Sequence, residues 1–112
     1  MREAMIIVPF ERGKINVRQH LIDAIVGTFG GLTITKSVGY YRDDDGITVT
    51  EPVEQFMIAA DDTVWNKGIL TDYACYYVGE LMDQASVYVR YFDGSVVLLE
   101  RGKHYLEKEK AT

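Results

Sequence analysis

The residues suited to catalysis are few and widely spaced along the chain. Cys75 is the one cysteine, and His20 and His104 are the two histidines. A nucleophilic thiol needs a basic neighbour that lowers its pKa, and the spacing of these three residues predicts no such pair. Two distant histidines also fall short of the ligand count of an ordinary zinc site. We therefore predict no catalytic residue and no metal site, with Cys75 as a packing residue.

Phosphate-binding and calcium-binding loops are not indicated either. Gly27, Gly30 and Gly31 follow a predicted helix instead of opening one, so a dinucleotide or phosphate loop is excluded by context and no cofactor is predicted. The run Asp43–Asp45 before Gly46 lacks the alternating ligands and distal Glu of a calcium loop. It is typical of a solvated hairpin tip.

That tip has the composition of a protein-contact surface. Two tyrosines at its base, Tyr40 and Tyr41, are followed by Arg42 and the acidic run that includes Asp44. Tyrosine and arginine are enriched in protein interfaces. We predict that Tyr40, Tyr41, Arg42 and Asp44 contact a partner protein.

Length and charge limit the class of protein. The chain has 112 residues and a formal net charge of −5, which favours a single acidic globular domain. Nucleic-acid binding through a basic face is excluded, as is attraction to an anionic membrane. The first ten residues lack the pattern of a signal peptide, and no apolar run approaches the roughly 20 residues of a membrane span, so a cytoplasmic location is predicted. The domain is assigned to residues 1–100, and residues 101–112 to a charged tail.

Hydrophobic periodicity predicts an alternation of strands and helices. The first helix is expected to begin at an Asn16 N-cap and to end at Gly30-Gly31, and the second to span residues 70–82 after an N-cap in residues 61–63. The predicted strands are residues 3–10, 32–42, 47–50, 53–60, 85–92 and 95–100. Their order predicts an α+β fold, a ferredoxin-like split βαβ sandwich with two helices on one face of an antiparallel sheet.

The last two strands determine what the open sheet face carries. A two-residue type I′ turn at Asp93-Gly94 would place Arg90 opposite Val97 and Tyr88 opposite Leu99. These four side chains would then face away from the helices, beside Thr35 and Ser37 of an earlier strand. Such an exposed, partly apolar face usually marks an interface. We predict a homodimer through this face, with Arg90 available to hold a small anionic ligand between the subunits.

Three segments also resemble a known family. GGLTI at 30–34, GYYRDDDGITVTEP at 39–52 and QASVYVRYFDGSV at 84–96 are similar to a family of small bacterial domains of unknown function. The resemblance extends over residues 3–100 and implies a ferredoxin-like fold. It implies no activity.

Taken together, these patterns favour a non-enzymatic binding module that self-associates. One alternative is a small inhibitor or adaptor of a host protein, of the kind that phages and mobile elements encode. The other is a small dimeric α+β barrel enzyme, which needs only a pocket and one or two polar groups.

Overall fold

A computed structural model describes residues 1–61 and 67–101 of the chain. Its framework is a five-stranded antiparallel sheet with the strand order β2-β3-β1-β4-β5. The strands are β1 (Arg2–Pro9), β2 (Gly31–Arg42), β3 (Thr48–Ala60), β4 (Ser86–Arg90) and β5 (Val96–Glu100). The first four have the order of a split βαβ sandwich, to which β5 is added at the edge, so the predicted α+β fold is confirmed.

The first helix, α1 (Ile15–Phe29), buries the stripe that the sequence predicts. Leu21, Ile25 and Phe29 face the sheet and are buried, and the helix ends where Gly30 takes a left-handed conformation. Its start is different from the prediction. A short 3-10 turn over Arg12–Lys14 leads into the helix, Lys14 occupies the N-cap position, and no side chain caps it, so Asn16 is not the cap.

The second helical segment changes its pitch part-way. It begins as α2 (Lys67–Tyr73) and continues as a π-helix over Ala74–Leu81. Leu70, Ala74 and Val78 are buried against the sheet, as the predicted apolar stripe requires. The predicted N-cap at residues 61–63 lies largely outside the described residues. A π-helix of this length is uncommon, and such turns are frequent at functional sites.

Strand β3 is one continuous strand, whereas the sequence predicts two strands separated by Glu51-Pro52. The carbonyl of Pro52 accepts a hydrogen bond from the Phe10 amide at 3.0 Å. In an antiparallel strand the nitrogen of a residue points to the same side as its carbonyl, which here is the side where β1 has ended at Pro9. Pro52 therefore lacks a donor only toward Phe10, just past the last pair with β1, and its pairing with β2 is unaffected, so the strand passes through it.

The hairpin between β4 and β5 has a longer turn than predicted. Gly94 has φ of 85°, the Tyr91 amide donates to the Ser95 carbonyl at 2.8 Å, and the Gly94 amide donates to the Tyr91 carbonyl at 2.9 Å. This is a three-residue loop with a glycine in the left-handed region, which a type I turn produces. The register therefore moves by one residue, and Arg90 pairs with Val96 and Tyr88 with Leu98.

A one-residue shift exchanges the two faces of a strand, so the face predicted for β5 is wrong. Leu99 is 2% exposed in the hydrophobic core, and Val97 packs against that core on the helix-covered side. Val96 and Leu98 take the outward positions and are half exposed. None of the described helices is long and apolar enough to cross a membrane.

Candidate functional site

The β2–β3 hairpin extends beyond the rest of the sheet. Strand β1 makes its last pair with β3 at Pro9 and Val53, while β2 and β3 remain paired as far as Arg42 and Thr48. Apart from the hydrogen bond between the Phe10 amide and the Pro52 carbonyl, the distal part is a two-stranded ribbon with no described strand beside it on the β1 side. We call it the ribbon, residues 38–52.

A cleft of about 460 Å³ lies under the ribbon at this end of the sheet. Its other walls come from the end of β1, the start of β4, the outward side of β5 and the end of the π-helix. This volume is within the range of small-molecule sites. The lining residues are Ile7, Pro9, Gly39, Tyr40, Tyr41, Glu51, Val53, Val78, Gln84, Ala85, Ser86, Tyr88 and Leu98.

Glu51 supplies the cleft's carboxylate. It is half-buried and faces Gly39 across the ribbon. A Cβ at position 39 would lie 3.6 Å from Cγ of Glu51 and 3.3 Å from Cγ1 of Val53. The missing side chain at Gly39 therefore leaves room for Val53, while the stem of Glu51 lies at ordinary contact distance from β2. Within the described part of the chain the Glu51 carboxylate has no hydrogen-bond or ion-pair partner, so it is available to a ligand.

The opposite wall is formed by the segment that joins the π-helix to β4. Asp83 takes a left-handed conformation with φ of 56° and turns the chain toward the sheet. The amide of the half-buried Gln84 donates to the Gly79 carbonyl at 2.9 Å, and its side-chain Nε2 donates to the Met82 carbonyl at 3.1 Å. With Nε2 engaged, Oε1 of Gln84 is the side-chain atom left to accept a hydrogen bond.

The remaining lining is aromatic and aliphatic. Three tyrosines, Tyr40, Tyr41 and Tyr88, stand beside aliphatic side chains that include Ile7 and Leu98. Among the described lining residues Glu51 carries the only charge. Aromatic faces and a carboxylate attract cations, and apolar walls exclude water. The cleft therefore suits a positively charged ligand with an apolar or aromatic part.

The structure separates the residues predicted to share the open sheet face. Tyr88 lines the cleft, but Arg90, two residues further along β4, does not, and its Nη2 instead contacts Sδ of Met57 at 3.6 Å. Thr35 and Ser37 lie on the open face of β2, on the same side of the strand as Gly39, but they do not line the cleft. As described above, Val97 and Leu99 belong to the other face.

The predicted partner-contact residues are divided in the same way. Tyr40 and Tyr41 line the cleft although they are 71% and 50% exposed. Arg42 and Asp44 lie at the exposed tip, where Asp43 closes the turn by accepting from the amides of Asp45 and Ile47. Contact of this tip with a partner protein stays a prediction.

The sequence reasoning missed Glu51 and Gln84. Glu51 falls in a predicted break between two strands, and only the continuous strand β3 places it on the same face as Val53. Gln84 carried no signal, because its place in the cleft depends on the left-handed turn at Asp83.

A second carboxylate on β3 serves a different purpose. Glu54 is on the helix-covered face, where its side chain is 3% exposed, and Arg18 of α1 binds both of its oxygens at 2.6 and 2.9 Å. These hydrogen bonds raise the pKa of Arg18 above its ordinary value. The Arg18 guanidinium also lies 6.0 Å from the ring centre of Phe56. This ion pair connects α1 to β3, the strand that also contains Glu51.

Two solved structures share this fold. The phage SAM lyase in complex with S-methyl-5'-thioadenosine is 21% identical to the chain, with a TM-score of 0.60 and 90% of each chain covered. The phage SAM lyase in its apo state is 22% identical, with a TM-score of 0.61 and 89% of each chain covered. No family model and no curated protein sequence matches the chain.

These structures correct the functional expectation drawn from the sequence. The chain was expected to be a binding module rather than an enzyme, but the fold that it shares over nine-tenths of its length is that of an enzyme. Of the two alternatives, the small dimeric α+β barrel enzyme is the one that names an enzyme, and its dimeric barrel stays a prediction. The resemblance to the family of small bacterial domains is not tested by these matches and stays a prediction.

Proposed function

We propose that this protein is an S-adenosylmethionine lyase that releases methylthioadenosine in the cleft under the ribbon. The observation that carries the proposal is the cleft itself, which places one carboxylate among tyrosines and aliphatic side chains. The shared fold supports it, because the two SAM lyase structures and this chain each match over about nine-tenths of their length.

The chemistry of the substrate matches the lining. S-adenosylmethionine is a net cation with a sulfonium centre, an ammonium group and an aromatic base. Tyrosine faces attract a sulfonium through their ring quadrupoles, and Glu51 can accept hydrogen bonds from the ammonium or hydroxyl groups. The net charge of −5 also favours the approach of a cation.

The proposed reaction needs neither water nor a proton acceptor. The α-carboxylate of the substrate attacks its own γ-carbon, the bond between that carbon and sulfur breaks, and the bonding electron pair goes to sulfur. The products are methylthioadenosine and homoserine lactone, so all atoms and charges are accounted for. A carboxylate and a sulfonium are both neutralised in this step, and apolar walls favour it because the transition state is less charge-separated than the bound substrate.

This reaction also explains why the sequence shows no catalytic motif. A ring closure within one molecule needs a folded substrate conformation rather than a nucleophile or base from the protein. The role of the cleft is then to bind the substrate with its carboxylate behind the carbon–sulfur bond. Glu51 and the tyrosines are the residues we expect to fix that geometry.

Incubation of the purified protein with S-adenosylmethionine tests the proposal. We expect methylthioadenosine and homoserine lactone by liquid chromatography and mass spectrometry, with no solvent oxygen in freshly formed lactone when the reaction is run in oxygen-18 water. S-adenosylhomocysteine, which lacks the sulfonium charge, is the control and should not react. If no more methylthioadenosine forms than in a boiled control, the proposed activity is refuted. If vinylglycine forms instead of homoserine lactone, the reaction is an elimination and not a ring closure.

A further inference from the structure

Arg101 makes three hydrogen bonds to the segment that forms one wall of the cleft. It lies directly after β5. Its Nη2 donates to the Gly79 carbonyl at 2.7 Å, its Nη1 to the Asp83 carboxylate at 2.9 Å, and its backbone amide to the Ala85 carbonyl at 2.9 Å. One residue therefore connects the end of β5 to the end of the π-helix and to the chain entering β4.

We propose that Arg101 is a positioning residue that holds the wall formed by Val78, Gln84 and Ala85 in its place beside the substrate. This inference rests on the proposed lyase function of the cleft. Arg101 does not line the cleft, yet two of the residues it binds, Gly79 and Asp83, are sequence neighbours of Val78 and Gln84, and the third is Ala85 itself.

The geometry of the π-helix explains why this wall needs an external support. The last carbonyls of a helix lack partners within the helix. Here the buried Gly79 carbonyl accepts from both the Gln84 amide and the Arg101 guanidinium. A cation at this end is also favoured by the helix dipole.

The bond to Gly79 should matter more than the ion pair with Asp83. The Asp83 side chain is 80% exposed, and exposed ion pairs contribute little. Gly79 is buried and its hydrogen bond with Arg101 is partly buried, so loss of this charged donor leaves the Gly79 carbonyl with the Gln84 amide alone among its described partners. The planar fork of Arg101 reaches both acceptors at once, which the single ammonium of a lysine does not do.

Three variants separate these contributions. Arg101→Ala removes both side-chain contacts, Arg101→Lys keeps the charge without the fork, and Asp83→Asn removes only the ion pair at a position where asparagine tolerates the left-handed conformation. Hydrogen exchange of the Gln84 amide measures local opening of the wall. Exchange of the Ile6 amide, in a residue whose side chain is in the core, measures global stability. Steady-state kinetics with S-adenosylmethionine supply KM and kcat.

For Arg101→Ala we expect exchange of the Gln84 amide to accelerate about tenfold or more relative to Ile6, and KM to rise about tenfold with kcat changed less. Arg101→Lys should fall between this variant and the native protein, and Asp83→Asn should stay within about twofold of native.

An unchanged Gln84 exchange rate in Arg101→Ala overturns the proposal, and so does a change that Ile6 shares equally. If Arg101→Ala does not fold, Arg101→Lys decides on the same two readouts. A native protein that does not act on S-adenosylmethionine refutes the lyase proposal, while the exchange measurement still tests the support of the wall.

Discussion

Glu51 and Glu54 lie on the same strand, but their surroundings differ completely. Glu54 points to the helix-covered face, where Arg18 binds both carboxylate oxygens. Glu51 points to the other side, beneath the ribbon, where it faces the bare backbone of Gly39 and has no described protein partner. Residues three apart in a strand point to opposite faces, so one strand serves two environments.

The difference between the two carboxylates indicates which of them stabilises the fold and which is free to bind a ligand. A buried carboxylate that is paired and doubly hydrogen-bonded holds elements together, and removal of its partner is costly. A half-buried carboxylate without a partner contributes little to folding and retains its hydrogen-bonding capacity for a ligand. By this criterion Glu54 has the structural role, and Glu51 is the residue to which we assign the substrate binding proposed for the cleft.

Glu51→Gln should have the largest effect, and on activity alone. We expect kcat/KM for S-adenosylmethionine to fall about a thousandfold, roughly 4 kcal/mol, because the charge that orients the cationic substrate is lost. The melting temperature should stay near that of the native protein, since Glu51 has no described protein partner. Glu54→Gln is the matched control and should show the opposite pattern, with lower stability and nearly native activity well below its melting point. Equal losses of activity in both variants would contradict the division of roles.

Much of the framework was predictable, because periodicity records which side chains are buried. The stripe of Leu21, Ile25 and Phe29 and the alternation in β2 specify a helix and a strand without knowledge of their neighbours. The α+β class follows from the succession of elements, although the sequence predicts six strands where five form in the described part of the chain. The register of the last hairpin was not predictable from Asp93-Gly94 alone, because that dipeptide suits both a two-residue turn and the three-residue loop that forms.

The candidate site was harder to predict for two physical reasons. Residues from the ribbon, β4 and the π-helix meet only because the ribbon extends past β1, and no local pattern specifies that length difference. The left-handed turn at Asp83 and the π-helix before it have no sequence signature of their own. In addition, the ring closure proposed above requires no nucleophile–base pair, so no such motif is expected around Cys75.

Removal of Arg18 should produce the second largest effect, on stability. Arg18→Met leaves the Glu54 carboxylate buried without its partner, and we expect a loss of about 3 kcal/mol in the free energy of unfolding. Lys36 lies opposite Glu54 in the register of β2 and β3 and can offset part of the cost of the unpaired carboxylate. The expected loss is therefore at the lower end of the range for breaking a buried ion pair. Urea denaturation followed by circular dichroism measures it.

The double variant Arg18→Met/Glu54→Leu sharpens the comparison. With both charges replaced by apolar groups, stability should return to within about 1 kcal/mol of the native protein. A double variant as unstable as the single one would mean that the pair contributes through packing rather than charge.

Leu98 and Leu99 extend the comparison of the two sheet faces to β5, with a somewhat smaller effect. Leu99→Ala should lower the free energy of unfolding by about 2.5 kcal/mol, because it opens a cavity in the core. Leu98→Ala, half exposed at the cleft, should cost less than about 0.5 kcal/mol but raise KM. If chemical denaturation showed a larger loss of stability for Leu98→Ala than for Leu99→Ala, the register would instead be the one that a two-residue turn predicts.

The turn that sets this register should give the smallest effect. Hydrogen bonds from the side chain and amide of Ser95 hold the pKa of Asp93 below its ordinary value of 3.8. A carboxyl with a lowered pKa stabilises the folded state above its unfolded pKa, and this contribution is lost as pH falls through the folded value. Thermal melts of the native protein should therefore show an extra decline in melting temperature below about pH 4.

Asp93→Asn should lack that part of the decline, and Ser95→Ala should weaken it because the strongest hydrogen bond to the carboxylate is gone. Identical pH profiles for the native protein and Asp93→Asn would show that Asp93 does not stabilise the three-residue loop through its charge, and the register would then depend on Gly94 and on the burial of Leu99.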